Sequence, residues 1–117
     1  MSDGLAKALR FIREVQKLDP SLTIACVHTL LVAAGHEGRS IGYIVSMSSV
    51  SKSAVSRHIQ DLGASRALRR IGGTVPAPGL GLVVTQGQPE DGRERIVFLT
   101  PRGRELVAAL EEILQRP

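Results

Sequence analysis

Apolar residues recur at helical spacing near both ends of the chain. In residues 3–18 and again in residues 101–116, apolar positions lie three and four residues apart, which predicts an amphipathic helix in each segment. Asp3 is a suitable N-cap for the first helix. Thr100 and Pro101 begin the last one, because threonine caps well and proline is favoured at the first helical position. Each helix therefore has an apolar stripe that needs a partner surface.

Three further helices are predicted between the first segment and the middle of the chain. Residues 21–34 are apolar nearly all round, which is typical of a buried helix. Ser40 is expected to cap a short helix over residues 41–47, and Ser51 a longer one over residues 52–62. The last of these has apolar residues on one face and mostly short polar or basic residues on the other.

The pattern changes after this polar helix. Residues 63–71 could prolong the helix, whereas the remainder of segment 63–79 is rich in glycine and proline and predicts a loop. Within residues 80–100, β-branched residues at 83–85 and partial alternation at 95–100 predict two strands joined by a turn-rich tip. The expected structure of 80–100 is a β-hairpin.

This order of elements predicts one domain over residues 1–117, mainly α with a small β-hairpin. Two short helices joined by a tight turn, as in residues 40–62, form the helix-turn-helix pattern. A hairpin that follows at 80–100 makes it a winged helix-turn-helix. Such a second helix fits the major groove, and short polar side chains let its backbone approach the bases. The predicted partner is double-stranded DNA.

The candidate contacts are the polar and basic residues of the second helix and of the hairpin. Serine hydroxyls bond bases or phosphates, and arginine can bind guanine through two hydrogen bonds. The candidate DNA-binding residues are Ser51, Lys52, Ser53, Ser56, Arg57, Arg93 and Arg95. Arg66, Arg69 and Arg70 are candidate phosphate contacts, and an exposed basic helix end is the alternative interpretation of these three.

Composition agrees with a polyanionic duplex as the partner. Lys and Arg number 15 against 11 Asp and Glu, which gives a formal net charge of +4 and favours phosphate contacts. One Tyr, two Phe and no Trp disfavour single-strand binding by base stacking. The sequence has no apolar run long enough to span a membrane and no signal-peptide pattern. We therefore expect a cytoplasmic, nucleoid-associated protein.

Other classes of site find little support in the sequence. Cys26, the single cysteine, lies in the most apolar helix and is expected to be a small buried hydrophobe instead of a redox sensor. His28, His36 and His58 have no carboxylate at metal-ligand spacing, so no metal site is expected. His58 is predicted either to contact a phosphate or to pack at the edge of the core. No catalytic or nucleotide-binding motif is present, so neither enzyme activity nor a cofactor is expected.

Two sequence motifs follow one another along residues 22–110. The polar helix reads Ser53-Ala-Val-Ser-Arg-His-Ile-Gln-Asp-Leu62, and the hairpin has Asp91 and Arg93 before a Leu-Thr-x-x-Gly pattern that ends at Gly103. This combination resembles the MarR-type winged-helix transcription regulators. The resemblance implies that Asp91 orients the wing arginines and that Arg93 enters the minor groove. It also implies a sequence-specific regulator that acts as a repressor and a homodimer.

The chain departs from the family pattern in two places, and alternatives stay open. Segment 63–79 is an insertion between the recognition helix and the wing, either a longer helix or a loop that adds backbone contacts. The sequence also ends at Pro117, where many family members continue into another dimerisation helix. The dimer interface is therefore expected either to be reduced or to be built from the helices of residues 3–18 and 101–116. The sequence has too few aromatic residues to indicate a pocket for a small-molecule effector. Whether an effector binds is therefore left open. A phage or plasmid DNA accessory factor and a protein-binding winged helix are the alternative functions.

Overall fold

The computed structural model describes residues 2–87 and 95–116. Its elements are α1 (Asp3–Gln16), α2 (Ile24–Gly35), β1 (Arg39–Ser40), α3 (Ile41–Ser46), α4 (Lys52–Leu62), β2 (Ser65–Arg70), β3 (Gly73–Pro78), β4 (Val83–Gly87), β5 (Arg95–Leu99) and α5 (Pro101–Gln115). One antiparallel sheet has the strand order β1-β5-β4, and β2 and β3 form a separate antiparallel pair. The predicted winged helix-turn-helix, mainly α with a small hairpin, is confirmed, with α3 and α4 as its two helices and β4–β5 as its wing.

Every helix begins after a serine or threonine that caps it. The caps predicted at Ser40, Ser51 and Thr100 are confirmed, because each hydroxyl accepts a hydrogen bond from a backbone N–H in the first turn. The cap predicted at Asp3 is wrong. Ser2 caps α1 instead, because its hydroxyl accepts a hydrogen bond from the N–H of Leu5 at 3.2 Å. Asp3 is the first helical residue, where its carboxylate interacts favourably with the helix dipole.

The core lies between α2, α4, α5 and the wing sheet. Its largest fully buried side chains come from all of these elements and from α3: Leu30, Ile44, Val55, Leu62, Leu82, Val97 and Leu110. Helix α2 supplies buried residues from successive turns, as its apolar sequence predicted. No helix in the described part of the chain is long and apolar enough to cross a membrane.

Segment 63–79 forms a second hairpin, and both expectations for it, a longer helix and a loop, are wrong. Helix α4 ends at Leu62, and β2 pairs with β3 from Ser65↔Pro78 to Arg70↔Gly73. The two turn residues include Gly72, whose φ of 89° is in the left-handed region that glycine adopts at no steric cost. Strand pairing with β3 thus overrides the helical preference of the β2 sequence, as tertiary context often does.

Backbone hydrogen bonds close the second hairpin at its base. The N–H of Gly79 donates to the carbonyl of Ala64 at 3.1 Å, and the N–H of Leu82 donates to that of Leu62 at 2.7 Å. A side chain at Gly79 would collide with the carbonyl of Gly63, so glycine is required by this close approach. The inserted chain therefore returns to the end of α4, and the wing begins directly beside it.

Candidate nucleic-acid interface

Helix α4 has one buried face and one exposed polar face. Val55, Ile59 and Leu62 are buried, which fixes the orientation of the helix against the core. Lys52, Ser53, Arg57 and Gln60 are exposed, and Ser56 is half-buried. Four of the predicted contacts therefore share the outer side of one short helix. The structure does not test their contact with DNA, which stays a prediction.

Ser51 has a structural task at the start of this helix. Its Oγ accepts a hydrogen bond from the N–H of Ala54 at 3.2 Å and lies 3.1 Å from the Oγ of Ser53. The hydroxyl of Ser51 therefore holds the first turn of α4, from which Lys52 and Ser53 project. Substitution of Ser51 would weaken the helix start whether or not the residue contacts DNA.

His58 fastens α4 to the buried helix α2. Its Nδ1 lies 2.8 Å from the Oγ1 of Thr29, which is fully buried and also donates to the carbonyl of Ala25 at 3.2 Å. Since the threonine hydroxyl has one proton, it can donate to Ala25 while the Nδ1–H of His58 donates to it. Burial lowers the pKa of His58. Of the two interpretations of this residue, packing at the core edge is what the structure shows.

The wing places Arg95 on its exposed surface. Strands β4 and β5 pair from Val83↔Leu99 to Gly87↔Arg95, and the Nη1 of Arg95 donates to the Oγ1 of Thr85 at 3.2 Å. This bond orients the guanidinium along the wing. Asp91 and Arg93 lie outside the described residues, so their roles at the wing tip stay predictions from the resemblance.

The Leu-Thr-x-x-Gly motif connects the wing to α5 through hydrogen bonds and close packing. The N–H of Thr100 donates to the carbonyl of Leu82 at 3.0 Å, and its hydroxyl donates to the carbonyl of Gly81 at 2.6 Å. The same hydroxyl accepts from the N–H of Gly103 at 3.0 Å. Gly103 packs so closely on the carbonyl of Leu82 that a Cβ atom would collide with it. The motif thus fixes the base of the wing.

Glu37 is a second fastening point, and sequence reasoning missed it. One carboxylate oxygen accepts from the N–H of Leu99 at 2.7 Å, and the other accepts from Arg104 at 2.8 Å. The bond from the Leu99 backbone, followed by the guanidinium of Arg104, lowers the pKa of Glu37. Its partners lie 62 and 67 residues away in the sequence, so no local pattern signals them.

Cys26 is a core residue, as predicted. Its side chain is buried, and burial raises its pKa to about 11, with smaller contributions from the carboxylates of Asp61 and Asp19. A thiol with this pKa is protonated at neutral pH and is a poor nucleophile. Among residues 2–87 and 95–116, no three metal-ligating side chains come together.

An apolar stripe remains exposed on the two terminal helices. Leu5, Leu9 and Ile12 of α1 are 61%, 37% and 41% exposed, and Leu114 of α5 is 50% exposed. The two helices pack on each other. Leu5, Leu9 and Ile12 follow one another at i, i+4 and i+7, so they share one face of α1 and are not scattered single residues. Leu114 adds an exposed apolar side chain on α5.

No protein-family model and no curated protein match the sequence, whereas solved structures match over almost its whole length. MarR is 24% identical with a TM-score of 0.66, and the match covers 96% of this chain and 70% of MarR. The chain has the MarR fold. MepR of S. aureus, solved as a DNA complex, shares 21% identity at a TM-score of 0.68 over 93% of this chain and 73% of MepR. BpsR of Bordetella bronchiseptica shares 23% identity at a TM-score of 0.60, and the match covers 94% of this chain and 74% of BpsR. Structures with the MarR fold thus include a protein held on duplex DNA.

Proposed function

We propose that the protein is a sequence-specific regulator of transcription that binds double-stranded DNA. The observation that carries the proposal is the exposed face of α4, where Lys52, Ser53 and Arg57 lie opposite a fully packed apolar face. The MarR fold supports it, because its solved examples include the MepR–DNA complex and the transcriptional repressor CouR bound to a DNA duplex. The proposed place of action is the chromosome in the cytoplasm.

Helix α4 would lie in the major groove with its capped N-terminal turn towards the bases. Arg57 would bind guanine through two hydrogen bonds, while Ser53 and Ser56 would contact bases or phosphates. Lys52 and Arg95 would contact phosphates, and Arg93, oriented by Asp91, would enter the minor groove. A good bidentate base contact contributes about 1–3 kcal/mol of discrimination. Base discrimination would therefore come from Ser53, Ser56 and Arg57, and general affinity from the other basic side chains.

A homodimer would be formed through the exposed stripe of α1 and α5. Burying Leu5, Leu9, Ile12 and Leu114 against their symmetry mates would remove this apolar surface from water. A two-fold axis between the copies would set two α4 helices about 34 Å apart, one turn of DNA. Such a dimer would read a pseudo-palindromic operator and repress by occluding the promoter.

The test of the function is selection of bound sequences from a random duplex pool, with the stoichiometry of the complex recorded. We expect a two-fold-symmetric motif bound by two protomers. Arg57→Ala should then relax preference at one base position, whereas Lys52→Ala should weaken all sequences and reduce the salt slope by about 1. Lys17→Ala, which removes an exposed cation just after α1, is the control and should change neither. Equal weakening of every sequence by Arg57→Ala would contradict base recognition by this residue.

The dimer has its own test in sedimentation of the free protein. Leu9→Glu places a charge in the stripe and should convert dimers into monomers while weakening operator binding. Ile24→Glu is the control, because Ile24 is 83% exposed on α2 and lies outside the stripe. A wild-type monomer at micromolar concentration would contradict the proposal. Absence of any duplex binding would favour a protein-binding winged helix, and a motif confined to replication or partition sites would favour a DNA accessory factor.

A further inference from the structure

We propose that the β2–β3 hairpin is a second DNA-binding arm, which contacts the duplex beyond the site covered by α4 and the wing. The proposal rests on the proposed DNA-binding function. From Leu62 to Pro89 the sequence contains Arg66, Arg69 and Arg70 and no acidic residue. The hairpin thus has a net charge of +3 in a chain whose formal net charge is +4. A concentrated positive charge of this kind suits a polyanion.

The hairpin stands apart from the core. It forms a sheet of its own, and helix α4, at its base, is its main neighbour besides its own partner strand. Each strand has six residues, which gives an arm of roughly 20 Å. A two-stranded hairpin without further packing is only marginally stable in water, so a surface that packs on it would stabilise it. Because the arm begins where α4 ends, it starts about 16 Å from the N-terminal turn that is turned towards the bases, which is within the length of the arm.

The strand register distributes the basic positions over both faces of the arm. Positions 66 and 70 fall on one face and position 69 on the other, because alternate positions of a strand share a face. The residues opposite Arg66, Arg69 and Arg70 in the ladder are Ala77, Thr74 and Gly73, all uncharged, so the partner strand has no carboxylate to neutralise the arginines. A ribbon with basic positions on both faces suits a groove, which has a row of phosphates on each side. A flat anionic surface would meet only one face.

The tip of the arm combines an apolar side chain with glycine. Ile71 is fully exposed, and Gly72 and Gly73 follow it. Proteins that bind the minor groove use basic side chains and insert apolar wedges between base steps, which kinks the duplex. Ile71, next to Arg70 in the sequence, has the chemistry and the position of such a wedge. The tip would therefore enter a minor groove beyond the one assigned to Arg93 of the wing.

The experiment compares three forms of the full chain on one duplex that contains the selected motif and at least about ten flanking base pairs, one helical turn, on each side. The arm variant is Arg66→Ala/Arg69→Ala/Arg70→Ala. The charge-matched control is Arg10→Ala/Lys17→Ala/Arg116→Ala, which removes three exposed cations near the two ends of the chain. Because these cations lie in the helical segments proposed to form the dimer, sedimentation first confirms that the control variant is still a dimer. Affinity is measured against salt concentration, and hydroxyl-radical cleavage reports which sugars are protected. Thermal unfolding of each variant confirms that it is folded.

We expect the arm variant to lose protection outside the central motif and to keep protection within it. The slope of its plot of log K against log salt should become shallower by about 0.9 for each phosphate that is no longer neutralised. With three arginines removed, the total change of slope should be about 2 to 3 per protomer. The control should match the wild type. Ile71→Ala should leave the salt slope unchanged and reduce the bend of the duplex, measured by energy transfer between its ends.

An arm variant with the wild-type footprint and salt slope would contradict DNA binding by the hairpin while leaving the proposed function of the protein in place. So would a chain in which residues 66–77 are replaced by Asn-Gly, if it kept the full footprint. A wild type without any central footprint would instead contradict the proposed function. Binding of the arm to anionic vesicles, with no effect of the arm variant on DNA, would assign the hairpin to a membrane surface and would equally overturn the proposal.

Discussion

Gly103→Ala is the substitution for which the structure makes the sharpest prediction. Gly103 lies in the first turn of α5, within a regular helix, where alanine is normally the better residue by up to about 1 kcal/mol. Its backbone needs no left-handed conformation, since its φ is not positive. Only the close approach to the wing gives a reason for glycine. The expected sign of the effect is therefore opposite to that of helix propensity.

The magnitude follows from what the added methyl group would contact. A Cβ at position 103 would collide with the carbonyl oxygen of Leu82, lie 3.0 Å from the carbonyl carbon and 3.2 Å from Cδ2 of Leu99. A backbone carbonyl cannot rotate away as a side chain can, so α5 must move off the wing. That movement would loosen Leu82 and Leu106, which are buried. Overpacking of this kind typically costs about 1–3 kcal/mol. Because the collision is with backbone, we take the upper end, about 3 kcal/mol; the helix preference of alanine offsets up to about 1 kcal/mol of it, which leaves an expected net loss of about 2 kcal/mol.

Chemical denaturation with urea measures this loss. In thermal unfolding, Tm should fall by roughly 8 °C for a domain of this size. Gly4→Ala is the matched control. Gly4 is also helical, but it is exposed, and no atom lies within 4 Å of the position that a Cβ would take. It should leave stability unchanged or raise it by up to about 1 kcal/mol. Equal stability of Gly103→Ala and the wild type would refute the close-approach explanation of the motif glycine.

Three further predictions concern polar groups at the core edge. Thr29→Val keeps the shape but removes the hydroxyl bonded to His58, and should lower the free energy of unfolding by about 1 kcal/mol, measured in urea. Because the folded state lowers the pKa of His58 from 6.5 and that of Glu37 from 4.5, protons bind more readily to the unfolded chain. The free energy of unfolding should therefore fall on acidification, below about pH 6.5 because of His58 and again below about pH 4.5 because of Glu37. The first decrease should be missing in His58→Gln, and the second should be smaller in Glu37→Gln. Cys26, with a pKa of about 11, should resist a thiol reagent at about pH 7.5 until urea unfolds the chain.

The parts of the fold that sequence predicts well are those coded over a few residues. The helices that follow Ser40, Ser51 and Thr100 begin where predicted because a hydroxyl and an N–H within one turn decide the start. Asp3 failed as a cap only because Ser2, one residue earlier, serves the same purpose. Such errors stay small, since the competing caps are neighbours in the chain.

The parts that sequence does not predict depend on contacts between distant residues. Ser65-Arg-Ala-Leu-Arg-Arg70 has helical preference by itself, and its strand conformation depends on pairing with β3. The bonds of Glu37 to Leu99 and Arg104, and that of His58 to Thr29, likewise exist only once the chain has folded. In the candidate site, the exposed face of α4 was readable because its opposite face repeats at helical spacing. The hydrogen bond between the neighbouring His58 and Thr29 was not, because the two residues are 29 positions apart.

Residues 80–82, which link the second hairpin to the wing, explain how this hairpin can be present without displacing the wing. The N–H groups of Leu80, Gly81 and Leu82 donate to the carbonyls of Asp61, Gly63 and Leu62, all at the end of α4. The carbonyls of Gly81 and Leu82 in turn accept from Thr100, which begins α5. Helix α4, the wing and α5 are therefore joined through residues that lie outside both strands of the second hairpin. The length of the hairpin can change without altering these bonds, so its DNA contacts can be removed in experiments while the geometry of α4 and the wing is retained.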